Sequence, residues 1–359
     1  MPHKILVVSG GGARGAWGVG VASTLNKNNE GYQAVFGTST GSLMAPFILL
    51  QEYETLKTFY SHVTQDSIFN QNPFNVHYDQ VNNIVTTKLK TFKAIKRLLF
   101  GKKTFGETRN LYNMIKHDVS LDRYYKLVDD YDNNKLMLGI AVTNTHTGGF
   151  ELKTNAGYTK TPHDWDSLCN WIWASANEPL LMSYTYVGRI AYVDGGVREV
   201  IPIESAIAYA ISNPNIDSID VIVNNSLIPE SQNWDVNDGG IMNGLQRLLG
   251  IYNLSTVAYN ENYSQLILDF YNFTAKVPVK PNNGLEFLNT LSNRNIHLRI
   301  LCMPGEVAKE YPNELGFVSG VMKDLIKKGE AFGISPTQCL NGDINGQTLL
   351  QLSSLQYLY

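Results

Sequence analysis

Gly37-Thr38-Ser39-Thr40-Gly41 closes a short apolar run and opens an apolar stretch of helical character. A serine at such a strand-to-helix turn can serve as a nucleophile. The turn strains its backbone, and strand and helix come so close that only small residues fit two positions before and after it. Gly37 and Gly41 occupy those positions. The start of the following helix would favour negative charge beside the hydroxyl. The same residues also suit a plain glycine-rich loop with Ser39 as the helix cap.

A nucleophilic serine needs donors for the developing oxyanion. Ser9-Gly10-Gly11-Gly12-Ala13-Arg14-Gly15 follows another apolar run and opens another helix. Gly10, Gly12 and Gly15 meet the dinucleotide spacing G-x-G-x-x-G, which also demands an acidic residue about 20 positions further on, at the end of the second strand. That strand ends in Phe36-Gly37-Thr38-Ser39, without a carboxylate. Glycine N–H groups can instead cradle an oxyanion, with Gly11 and Gly12 leaving the backbone bare. A phosphate-binding loop is the other reading of these residues.

The serine also needs a base. A conventional triad takes a histidine from a loop beyond a strand's C-terminal end. His297 precedes its strand, His146 lies in a hairpin turn, and His3, His62, His77, His117 and His163 have no strand-end setting. Ile190-Ala191-Tyr192-Val193-Asp194-Gly195-Gly196 offers a carboxylate after an apolar run, with Gly195 and Gly196 keeping the turn free. An aspartate is ionised at neutral pH and accepts a proton, though weakly. A tight Asp-Gly turn between strands is the bland reading.

The elements that must position these groups alternate. Apolar runs at 5–8 and 33–36 read as strands, each followed by a helix, at 13–26 and 40–60. Such a start indicates a mostly parallel sheet. Residues 70–110 read as irregular, 136–143 and 149–153 as a hairpin, and 164–176 as a helix. Further strands are expected at 219–223 and 298–303, and helices at 243–274 and 317–328. The small residues of 13–26 suit close packing of that helix on the sheet.

With 359 residues, 43% apolar and 17% charged, the chain can bury a large core. A net charge of −3 gives no sign of a nucleic-acid partner. Cys169, Cys302 and Cys339 have no metal-ligand spacing, and their scarcity fits a reducing compartment. No apolar stretch reaches the length of a membrane span, so a cytoplasmic protein is expected, meeting membranes at their surface. Residues 88–103 hold seven of the 29 basic residues and no acid. Leu89, Phe92, Ile95 and Leu99 recur there at helical spacing, with the lysines on the other side. Such a helix either lies on an anionic membrane, with Lys93, Lys96 and Arg97 as contacts, or packs its apolar stripe on the protein.

Taken together, SGGGARG, GTSTG and DGG, in that order and local setting, resemble the patatin-like phospholipases. The resemblance spans residues 4–206 and includes Ala174-Ser175-Ala176-Asn177-Glu178-Pro179, similar to the family's small residues before a proline. It implies a three-layer α/β fold with a central, mostly parallel sheet, related to the α/β-hydrolase architecture. Residues 207–359 would be a C-terminal continuation packed on the same domain. It also implies a serine–aspartate dyad without histidine, cleaving lipid esters: Ser39 as nucleophile, Asp194 as base, and the loop Gly10, Gly11, Gly12, Ala13, Arg14, Gly15 as the oxyanion cradle. Arg14 matches the family's loop arginine, which steadies the loop or approaches a lipid phosphate. Ser9 stands where many plant members have aspartate. No metal or cofactor is implied. Rival readings are an esterase or thioesterase of small soluble substrates, and a non-catalytic nucleotide- or lipid-binding protein.

Overall fold

The structure is a computed structural model, which describes residues 3–25, 31–81, 84–226, 296–311, 313–337 and 340–341. The expected helix at 243–274, Cys339 and the last residues lie outside these. Apolar β1 (Lys4–Val8), β2 (Ala34–Thr38), β5 (Met137–Asn144), β9 (Ser218–Val223) and β10 (His297–Cys302) form a parallel array in the order β10-β9-β1-β2-β5. Antiparallel strands extend it: β6 (Phe150–Thr154) and β8 (Ile190–Asp194) on β5, β7 (Thr185–Val187) on β8, and β11 (Leu340–Asn341) on β10.

Both faces of the parallel strands are covered, which explains their nearly uninterrupted apolar sequence. On β1, Ile5 and Val7 pack with α9 (Ile203–Ser212), whereas Leu6 and Val8 join the larger core on the opposite face. That core includes α1 (Gly15–Leu25), α2 (Thr40–Leu49), α3 (Tyr53–His62) and the late helix α11 (Ser319–Ile334). The result is a three-layer α/β fold around a mostly parallel sheet. Strands β9 and β10 bring residues from beyond 206 into that same sheet. No helix among the described residues is long and apolar enough to cross a membrane.

Two expected elements differ. The single helix expected over 40–60 breaks after Leu49, because Gln51 adopts a left-handed backbone (φ 58°) and Glu52 turns its carboxylate to Arg123, 2.5 Å away. The new direction lets α3 pack along α1 and α11. Residues 70–110 are also more ordered than expected. β3 (Phe74–Asp79) and β4 (Ile84–Leu89) form a hairpin, followed by α5 (Thr91–Leu99) and the start of α6 (Arg109–Asp118). Phe74 and Val85 are its fully buried residues, Val76, Tyr78 and Leu89 are half-buried against the core, and Ile84 is exposed.

Helix α5 does not pack its apolar stripe on the protein, one of the two arrangements its sequence allowed. Ala94 is buried, and Arg97 bonds the Thr104 carbonyl and the Glu107 carboxylate. Lys93 donates to the Asn72 carbonyl. The side carrying Lys93 and Arg97 therefore faces the protein, with both half-buried, and Lys96 is exposed.

Candidate active site

Sheet register brings Ser39 and Asp194 together. Thr38 is level with Ala141 on β5, so Ser39 begins its turn level with Val142, and Val142 is paired with Asp194 on β8. The backbones are thus about two strand spacings apart, on the order of 10 Å, with β5 between them. Although β8 runs against β5, the two pair only over Val142–Asn144, so Asp194 arrives at the edge where β1 and β2 also end. Open α/β sheets bind ligands at that edge.

Ser39 has a strained backbone, φ 55° and ψ −122°, of a kind concentrated at functional sites. Its N–H is held by the Ser175 hydroxyl at 3.0 Å, and its carbonyl accepts from Ser42. The flanking glycines are needed for close approach. A Cβ on Gly37 would lie 2.3 Å from the Gly41 carbonyl oxygen, and one on Gly41 would lie 2.2 Å from that of Val8.

The Asp194 carboxyl is almost fully buried and accepts from the Gly196 N–H at 2.7 Å. Its N–H donates to the Asn177 carbonyl and its carbonyl accepts from Thr143. Desolvation pushes its pKa up to about 7; the Ser39 hydroxyl and the Gly196 N–H oppose the shift, and Glu314 adds to it. Gly195 lies against the Ala141 backbone.

The glycine loop borders Ser39 directly: a Cβ on Gly10 would lie 3.3 Å from Ser39 Cβ and 4.0 Å from its Oγ. Most of the loop's N–H groups are already engaged. Gly10 donates to Val200, Ala13 to the Glu314 carbonyl, Arg14 to Gly11, and Gly15 to Gly12 and Ala13. Among the described residues no acceptor meets the N–H groups of Gly11 and Gly12. Gly12 has φ +52°, and a Cβ there would strike the Glu314 carbonyl at 2.2 Å. Ser9 fastens the loop to β9, accepting from the Asn224 N–H and donating to the Gly10 carbonyl.

Arg14 does not line the pocket. Its guanidinium donates to the Tyr311 and Ala308 carbonyls, to Asn225 at 2.6 Å and to Glu314 at 3.3 Å. It clasps Ala308, Tyr311 and Glu314 onto the loop. Of the two roles open to it in the sequence, steadying the loop is the one its contacts fit.

Ser39, Asp194 and Gly10, Gly11 and Gly12 line a cavity of 160 Å³, walled by apolar side chains including Leu43, Ile68, Leu111, Met182 and Phe317. Glu178 and Glu314 line it as well. Burial, with the charges of Asp194 and Glu314, pushes Glu178 up to about 8. Sequence reasoning did not single out Ser175, Glu178 or Glu314. The first two belong to the small-residue stretch before Pro179, where Glu178 is the charged exception; Glu314 carries no local signal.

A family model for patatin-like phospholipases matches residues 6–207. No curated protein matches the chain. Among solved structures, VipD from Legionella pneumophila is similar over 92% of this chain and 67% of its own, with 12% identity and a TM-score of 0.35. Since the family model covers more than half of the sequence, the chain belongs to the patatin-like phospholipases.

Proposed function

We propose that the chain hydrolyses fatty-acyl esters of phospholipids or lysophospholipids through an acyl-enzyme on Ser39, with Asp194 as the base. One observation carries the reading: a strained serine, a buried carboxyl and two glycine N–H groups without acceptors share one apolar cavity. Ser39 Oγ attacks the ester carbonyl carbon as Asp194 takes its proton, and Gly11 and Gly12 donate to the oxyanion. The tetrahedral adduct collapses, and Asp194 returns the proton to the departing alcohol oxygen. Asp194 then deprotonates a water that attacks the acyl-serine. Release of the fatty acid returns the proton to Ser39.

Family membership supports a lipid substrate over a small soluble ester. The lipid is met at a membrane surface, with the protein peripheral to it. Replacing Ser39 by Ala should lower phospholipid hydrolysis by about a million-fold, and Asp194→Asn by roughly a hundred- to ten-thousand-fold, with circular dichroism unchanged. Full activity in Asp194→Asn would remove it from the reaction. Failure of the native chain to label with a fluorophosphonate would favour a non-catalytic lipid binder.

A further inference from the structure

The cavity measures 160 Å³, close to the ~150 Å³ that encloses one benzene-sized apolar molecule. It holds an ester and the start of a chain; the rest of a lipid must lie outside. Next to its rim the surface is unusually apolar. Pro179 and Met182 line the cavity, while Leu180 between them is exposed. The Leu180 carbonyl accepts from Phe105, at the end of the segment that leaves α5. In that segment Lys103 donates to the Tyr186 hydroxyl at 2.9 Å and stacks on its ring. Tyr186 and Val187 are exposed too.

Helix α5 itself is inside out. A surface helix normally turns its apolar stripe to the core and its charges to water. Here Ala94, Lys93 and Arg97 face inward, while Phe92 is 84% exposed, Ile95 50%, Leu98 48%, Leu99 81% and Phe100 74%. Phe92, Ile95 and Leu99 share one outward face, by their spacing of three and four residues. Exposed Lys88, Lys96, Lys102 and Lys103 surround them, and residues 84–106 contain no acid.

We infer that the outward face of α5, with Leu180, Tyr186 and Val187, is a docking surface for an anionic lipid bilayer, set beside the cavity rim so that a lipid passes from membrane to cavity. Apolar side chains projecting from a convex helix, ringed by lysines, fit the boundary between acyl chains and anionic headgroups. A second copy meeting the same face would oppose lysines to lysines. The assignment rests on the lipid-hydrolase reading for its purpose, but its test does not.

The experiment uses the full chain carrying Ser39→Ala, so that vesicles stay intact, sedimented with phosphatidylcholine vesicles with and without phosphatidylserine. Binding should require phosphatidylserine and weaken with salt. Phe92→Ser with Leu99→Ser should weaken it by about ten-fold or more; Lys96→Gln with Lys102→Gln should weaken it on phosphatidylserine vesicles. Lys93→Gln, turned inward, should leave it within about two-fold. Absence of vesicle binding, or equal binding by the Phe92→Ser, Leu99→Ser chain, overturns the inference. So does a dimer in light scattering that the same substitutions dissociate. In the Ser39-containing chain, Phe92→Ser with Leu99→Ser should reduce hydrolysis of vesicle lipid and spare that of a soluble butyrate ester. If the native chain cleaves neither substrate while vesicle binding follows the pattern above, the hydrolase reading fails and the docking surface stands.

Discussion

Desolvation gives Asp194 the basicity that its side-chain type lacks. An ordinary aspartate is a poor acceptor for a serine proton; burial lifts this one to about 7, and a general base is most effective when its pKa lies near the operating pH. In the proposed mechanism the base must be ionised, so activity should rise with pH to a plateau above about 7 and fall about ten-fold per pH unit below it. Glu314 raises this pKa by its charge. Glu314→Gln, which can still accept from Arg14, should therefore move the midpoint of the kcat/KM profile to lower pH. An unchanged midpoint would separate Glu314 from the base. Ser39, Asp194 and the glycines were legible in the sequence because each stands in a local pattern whose physics is local. Glu178 and Glu314 were not, since a carboxylate acquires its meaning here from a burial that only the assembled pocket supplies.

At the scale of elements, the glycine loop takes its shape from the chain's far end. Arg14 gathers two backbone carbonyls, Asn225 and Glu314, and the Glu314 carbonyl in turn holds Ala13. Arg14→Met keeps much of the aliphatic stem but leaves several buried acceptors without a donor. It should cost about 2–4 kcal/mol, read as a lower unfolding midpoint in urea, and should lower kcat more than it raises KM, because the loop loses its support. The strands β1, β2, β5, β9 and β10 and helices α1 and α8 (Pro162–Ser175) were legible from apolar runs and turn residues. The break at Gln51 and the β3–β4 hairpin were not. A left-handed residue at 51 has no glycine to announce it, and in the hairpin Asn75, His77, Thr86, Thr87 and Lys88 break up the apolar run that marks a fully buried strand. Helix α5 displayed its periodicity plainly, yet periodicity fixes which residues share a face and leaves open which way that face is turned.

Across the whole molecule, several buried or half-buried carboxyls bind protons more tightly when folded. Asp194 and Glu199 are raised to about 7 and Glu178 to about 8, each chiefly by desolvation. In the unfolded chain such groups lose their protons near pH 4. The folded state therefore holds protons that the unfolded state has released, and stability should fall as pH climbs from about 4 to about 8, then level off. Carboxylates held below their usual range, such as Glu107 beside Arg97 and Asp166 beside Lys116, act in the opposite sense at the acid end of the scale. Melting temperatures across this interval should show the decline, and Glu178→Gln should flatten it. At pH 8 the variant should melt above the native chain by about 2–4 °C for each kcal/mol recovered. The overall architecture was legible because alternating strands and helices admit few arrangements. Its completion by β9 and β10 was less so, since pairing across 200 residues leaves no mark on either partner.

The hydrogen bond from Ala13 to the Glu314 carbonyl joins the beginning of the chain to a point 301 residues later. A ribosome that has threaded out the first two hundred residues has supplied the serine and the aspartate but not the brace behind the glycines. The hydrolysis proposed for Ser39 would then wait on residues translated long after the serine itself, and a product cut short before Glu314 would carry the serine and the aspartate without that brace.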